Sequence, residues 1–315
     1  MMVCIRVAER VSARRQGFTL VELLISLVLG VVVVAASLSF AISTFKGSEG
    51  NRLREEVYRS ARFIGMTLER DIQTTGVGIE SEIRFGTLTT FNDTLVVLYV
   101  PWIPTEAFPY EISPPGGVNN PLDPGGTCGA YCIDLKVAPD GSFDLKRGDL
   151  ARLQINAERR LILITAVNNL GSTVEVTFSP DTTLLHFESA FKGGVQLDRF
   201  STIVQKLQAI VYYVKGEILY RADQLEVNGD LKGSPLAYGV KSWETKMIFV
   251  DLDEYDEGNP YDADNTNDFD DILGARITAV LGTNRPDIRV AGGQIFTRDY
   301  EWKLIPRNLA YERNR

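Results

Sequence analysis

Four groups of residues in this 315-residue chain have types and spacing suited to chemistry. The first is Glu22, an acid near the start of the apolar run RRQGFTLVELLISLVLGVVVVAASLSFAISTFK (14–46). A carboxylate inside a membrane-spanning helix costs about 2.5–3.5 kcal/mol on insertion scales, so it calls for a cationic partner. A cut after Gly17 would create one, the α-amine of Phe18, one helical turn before the acid. The second group is Cys128 and Cys132, in GTCGAYC. A disulfide closing this small loop is the expectation, with two free thiols or a metal pair as the other readings. Zinc would need two further ligands, and the chain has one histidine, His186. A redox C-x-x-C has two intervening residues, and here there are three.

The third group is the acidic loop DLDEYDEGNPYDADNTNDFDD (251–271), with 10 carboxylates in 21 residues and no Lys or Arg. Asp262, Asp264, Asp268 and Asp270 alternate there, and such hard oxygen ligands suit Ca²⁺. An EF-hand needs Gly at its sixth place and Glu at its twelfth, where this loop has Asn267 and Leu273. The two readings are a solvated loop and a calcium-binding loop. The fourth is His186 itself, in TLLHFES, whose apolar neighbours fit a packed strand residue better than a general base. The chain has no G-x-S-x-G elbow, no Walker phosphate loop, no G-x-G-x-x-G and no H-E-x-x-H. No enzyme activity is expected, and no cofactor beyond the candidate Ca²⁺.

The elements that carry these residues follow from hydropathy. From Leu23 to Phe45 there are 23 residues without a charge, roughly 34 Å of helix at about 1.5 Å per residue, enough to cross a bilayer. In a secretory signal peptide the small-residue cleavage site follows the apolar stretch. Here Gly17 precedes it, so a cut at Gly17 leaves the apolar helix on the mature protein as an anchor. Arg6, Arg10, Arg14 and Arg15 precede the run against a single acid, Glu9, which holds that flank in the cytoplasm. The rest of the chain then faces the periplasm or exterior, where disulfides persist. A net charge of −8 argues against general binding of phosphate backbones, and no nucleic-acid partner is expected.

Beyond the membrane segment, Leu53, Val57, Ala61, Ile64, Leu68 and Ile72 recur at spacings of three and four, an apolar stripe expected to pack on the protein's own sheet. Gly47 and Gly50 suggest a kink or melted turn at the join, and Gly76 and Gly78 end the helix. After Gly78 the period changes to two. Strands are expected at 83–91, 94–100, 150–155, 161–167, 173–178, 203–214, 243–250, 272–281 and 295–305. A Pro/Gly-rich loop (101–129) and the acidic loop lie between them.

QGFTLVELLISLVLG, with Gly17, Phe18, Thr19, Leu20, Val21 and Glu22, resembles the N-terminal signature of type IV prepilins and type II secretion pseudopilins. The resemblance implies cleavage by a prepilin peptidase between Gly17 and Phe18, N-methylation of the new Phe18 amine, and helix-to-helix assembly into a filament. It also implies that Glu22 pairs with the Phe18 amine of a neighbouring subunit. The residues alone equally allow a pair within one chain. LERDIQTTGVG (68–78), VYYVKGEILYR (211–221), LAYGVKSWETKMIFVD (236–251) and EWKLIPRN (301–308) are similar in order and character to PilW-type minor pilins and the related GspJ-type pseudopilins. Many major pilins are shorter and carry a proline where this chain has Ser39.

The expectation is an α+β, pilin-like chain: a long N-terminal helix, half transmembrane and half amphipathic, packed on a mainly antiparallel β-sheet head. Its parts would be a cleaved leader (1–17), a transmembrane and assembly helix (18–46) and a globular head (47–315). The function implied is that of a minor pilin that helps to initiate or cap a type IV pilus. A GspJ-like pseudopilin and a pilus-borne adhesin using the 101–129 loop are the alternatives. The implied partners are other major and minor pilins, the prepilin peptidase and an inner-membrane assembly platform. The implied location is the inner membrane and then the pilus or cell surface.

Overall fold

No proline falls between Leu20 and Ile72, so no backbone donor is lost there. In the computed structural model of the chain, one helix, α1 (Leu20–Ile72), takes up all 53 residues. It runs through Gly47 and Gly50 without a melted turn, because isolated glycines cost only about 1 kcal/mol each in a helix. The structure describes residues 19–101, 109–113, 119–122, 131–137, 143–171, 173–181, 183–189, 195–198, 201–258, 267–287, 289 and 293–309. Two compact units divide the chain, Met1–Arg52 and Leu53–Arg315.

In the first unit the apolar side chains of α1 from Leu20 to Phe45 face outward, and this is a helix long and apolar enough to cross a membrane by length and composition. In the second unit the expected stripe is buried: Leu53, Val57, Ala61, Ile64, Leu68 and Ile72 all lie in the interior. Six turn residues follow α1, with Gly76 and Gly78 at φ 73° and 72°.

Eighteen strands follow among the described residues. The first eight are β1 (Leu88–Phe91), β2 (Thr94–Tyr99), β3 (Tyr110–Glu111), β4 (Asn119–Leu122), β5 (Cys132–Lys136), β6 (Leu150–Ile155), β7 (Glu158–Asn169) and β8 (Thr173–Phe178). Next come β9 (Thr183–Leu184), β10 (Phe187–Glu188), β11 (Val195–Asp198), β12 (Thr202–Lys215), β13 (Ile218–Leu225) and β14 (Leu231–Tyr238). The last are β15 (Val240–Phe249), β16 (Glu254–Tyr255), β17 (Ile272–Pro286) and β18 (Ile295–Leu304). The main sheet runs β1-β2-β12-β6-β7-β8-β5, with β13 and β14 continuing from β12 and β3 beside it. A second sheet runs β16-β15-β17-β18, and β4–β11 and β9–β10 form two small pairs. Every pairing between these strands is antiparallel.

One apolar core joins the α1 stripe to both large sheets, through Leu95, Val97, Ile210 and Tyr212 on one and Met247, Phe249, Ala275 and Ile277 on the other. A smaller core fills the opposite face of β5 to β8, with Ile133, Leu153, Ile164 and Phe178. Polar anchors hold α1 where this packing ends. Asp71, in its last turn, accepts hydrogen bonds from Arg221 Nε and the Tyr212 hydroxyl at 2.6 Å each, and from Arg70 Nε at 3.0 Å. Burial pushes the Asp71 carboxyl up, but the bonds from Arg221, Tyr212 and Arg70 outweigh it and hold the group below the usual aspartate range. Near the other end of the stripe, Arg54 Nε donates to buried Asp287 at 3.0 Å and its guanidinium lies over the Phe296 ring.

Candidate functional site

The first turn of α1 holds the residue that sequence marks most strongly. The amide and the hydroxyl of Thr19 both donate to Glu22 Oε2, each at 3.0 Å. In return the Glu22 amide donates to Thr19 Oγ1 at 3.3 Å, and the Leu23 amide reaches Thr19 O at 3.1 Å. This is a capping box: T-x-x-E satisfies two of the donors that every helix start leaves open. The acid also faces the positive end of the helix dipole. Sequence reasoning treated Glu22 as a charge awaiting a cation and overlooked Thr19, although the T-x-x-E spacing was the signal for it. The second oxygen, Oε1, has no partner among the described residues. So one oxygen fixes the acid to its own helix, and the other is open to a cation. Gly17 and Phe18 lie outside the described residues.

The other sequence candidates divide. Cys132 starts β5 and is buried and disulfide-bonded, whereas Cys128 lies outside the described residues. Of the four candidate calcium ligands, Asp262 and Asp264 also lie outside them. Asp268 and Asp270 are brought together with Asp271, their carboxylate oxygens all within 4.8 Å of one another. Asp271 was not among the sequence candidates, because it breaks the alternation at Asp270. Asp268 is buried and Asp270 exposed, and they flank Phe269, which opens a single 3-10 turn (Phe269–Asp271) and packs on Phe187. Three oxygens are at most half of the six to eight that Ca²⁺ takes, so the described residues supply a partial set.

His186 is not a strand residue. It sits in the two-residue turn between β9 and β10, where Leu185 and His186 have φ of 50° and 70°. Its ring stacks on Phe91 at 5.3 Å and its Nε2 lies 3.3 Å from Glu257.

A cleft of about 590 Å³ opens beside the 3-10 turn, lined by Ser81–Arg84, Ala157–Arg160 and Asp270. Arg159 Nε lies 2.7 Å from Glu82 Oε1, and burial lifts the Glu82 carboxyl above the usual glutamate range against the pull of Arg159 and Arg152. Arg152 on β6 is buried and donates to Gln205. Burial and the Arg159 charge lower its guanidinium to about 10. Ser81, the cleft's hydroxyl, contacts Thr87 at 3.0 Å rather than a base. The cleft is a mixed-charge surface without the nucleophile–base geometry of a hydrolase.

Comparison with known proteins bears on the helix start. No curated protein and no solved structure matches the chain. A family model does match residues 12–38, the prokaryotic N-terminal methylation motif. That span contains Gly17, Phe18, Thr19 and Glu22, so over it the chain is similar to the N-terminus of type IV prepilin-like proteins, and the apolar helix that follows is consistent with a membrane anchor.

Proposed function

We propose that the chain is a minor pilin of a type IV pilus, made as a prepilin, cut between Gly17 and Phe18, N-methylated at Phe18 and inserted among other pilins to start or cap a filament. The observation that carries this reading is the methylation motif over residues 12–38 together with the capping box within it, which presents one free carboxylate oxygen of Glu22 at the helix start. A neighbour's Phe18 amine is the cation that fits this oxygen. Removing the carboxylate would leave that amine without its counter-charge in the packed helices, which would drop a scarce subunit from the assembly. The partners are other pilins, the prepilin peptidase and the inner-membrane assembly platform. The leader stays cytoplasmic before cleavage, and residues 47–315 form a head in the periplasm or outside. In that oxidising space Cys132 is paired with Cys128.

The test runs Glu22→Ala and Gly17 substitutions in parallel, reading processing by mass and incorporation by pull-down with the other pilins. Glu22→Ala should be cleaved and fail to co-assemble, whereas the Gly17 variants should remain as full-length precursor. Co-assembly of Glu22→Ala at wild-type level refutes the pairing. Deletion of the gene separates the pilus from a type II secretion pseudopilus: the first reading expects loss of surface fibres, the second loss of protein export.

A further inference from the structure

The second sheet ends in an edge of unusual regularity. β18 has one strand neighbour among the described residues, β17, and no proline or glycine in its ten residues. It pairs without a shift from Gly282↔Thr297 to Ala275↔Leu304. Against pairing it carries only charged side chains, Arg298, Asp299, Glu301 and Lys303, whereas native proteins blunt such edges with short strands, prolines or bulges as well. β14, at an end of the main sheet, shows this with Gly233, Pro235 and two register shifts, and β5 and β1 are short.

The direction of the backbone groups on β18 can be read from β17. The Gly282 amide donates to Gly239 O at 2.8 Å, toward the β15 side. Alternation turns the amides of Leu281, Ala279, Ile277 and Ala275 toward β18, opposite Arg298, Tyr300, Trp302 and Leu304. The backbone groups of Thr297, Asp299, Glu301 and Lys303 therefore point to the open edge. All four residues are exposed, and Asp299 and Glu301 have no ion-pair partner among the described residues.

A row of open amides and carbonyls fits extended backbone, and the charges decide whose. Two copies of β18 pairing antiparallel about Tyr300 would use all four open residues of each copy. They would also set Asp299 against Glu301 twice, and like charges directly opposite are destabilising. We propose that the open edge of β18 receives an extended strand of a different protein, with basic side chains opposite Asp299 and Glu301. The strand adds to the sheet through the outward backbone groups, and it covers the half-buried Tyr300 and Trp302, which pack against the core beside it. This docking is independent of the membrane-helix contacts proposed above.

The test uses the full chain in detergent micelles and, as probe, a capped seven-residue peptide of alternating Val and Lys. Its Val/Glu counterpart is the control. With the Lys probe, hydrogen exchange at the amides of Asp299 and Glu301 should slow at least tenfold, while Tyr300 and Trp302 are unchanged. Glu301→Pro deletes an outward amide without touching the β17 ladder, so it should abolish this slowing. The double variant Asp299→Lys with Glu301→Lys should reverse the preference between the two peptides, and this holds the test should the proline variant fail to fold. No slowing with either peptide, equal slowing with both, or no reversal in the double variant overturns the proposal. Amides already protected in a concentration-dependent way without probe would mean that a second copy fills the edge, which also overturns it.

Discussion

Asp71→Asn is the most informative single change in the head. The Asp71 side chain is 4% exposed and its carboxylate accepts three hydrogen bonds, two of them at 2.6 Å. The amide loses the charge; its oxygen can keep the Oδ2 place, where Arg221 and Tyr212 both donate, and its N–H₂ then takes the Oδ1 place and faces Arg70. Arg70 is 69% exposed, so its bond contributes little. Arg221 is 23% exposed and can still reach Asp223, 3.4 Å away, which softens the loss. The cost should therefore fall near the low end for a broken buried pair, about 3 kcal/mol. For a head of this size that is a fall of roughly 6–12 °C in melting temperature. The native carboxyl is depressed, so its contribution is complete above the unfolded aspartate value of about 3.9 and is lost as pH falls through the native value. The gap between wild type and variant should be full at pH 7 and close steadily below about pH 4. Thermal melts across pH, with Tyr212→Phe and the double variant, are the assay. A loss under 1 kcal/mol at pH 7, a gap that does not shrink in acid, or strict additivity with Tyr212→Phe would refute the reasoning, since contacting residues should couple by at least about 0.5 kcal/mol.

Thr19→Ala should cost about 1 kcal/mol at the start of α1, read as roughly fivefold faster exchange of the Glu22 and Leu23 amides; unchanged exchange there would disprove the capping box. A Cβ at Gly65 would stand 2.5 Å from Trp302 Nε1, so Gly65→Ala should displace the indole, shift its fluorescence and cost about 1–3 kcal/mol. The exported chain should show no free thiol under denaturing conditions until a reductant is added, and Cys132→Ser should lower stability by at most a few kcal/mol, since the proposed loop is short. If the acidic loop holds Ca²⁺, millimolar calcium should raise the melting temperature, EDTA should reverse it, and Asp268→Ala with Asp271→Ala should abolish the effect; no shift in the wild type would leave a solvated loop.

What could be read in advance was whatever repeats locally. The stripe from Leu53 to Ile72 announced its buried face by spacing alone, and β6 and β8 matched their alternation to the residue. β17 and β18 were found within a few residues. The hairpin of β13 and β14 escaped because Gly233 and Pro235 read as loop, although Gly216 and Glu217, at φ 58° and 60°, are the turn that starts it. The Asp71 anchor joins residues 141 and 150 positions apart, and no periodicity reports a contact of that range. His186 was misread because β-turn strain at Leu185 and His186 leaves no compositional trace. At the helix start the acid was legible and its cap was not, since Thr19 was seen only as part of a motif.

The cap also bears on how a protease meets this chain. Peptidases take substrate as extended backbone, and a bond inside a helix must first unwind to be cut. Thr19 stands outside α1, and its reciprocal bonds with Glu22 fix the first helical residue at Leu20. Extending the helix upstream would forfeit both bonds, so the cap acts as a barrier to winding in that direction as well as a start. In sequence the Gly17–Phe18 bond lies upstream of this barrier, and every bond from Leu20 to Ile72 lies within the helix. The proposed cut at Gly17 would leave the cap, and the helix behind it, as they were.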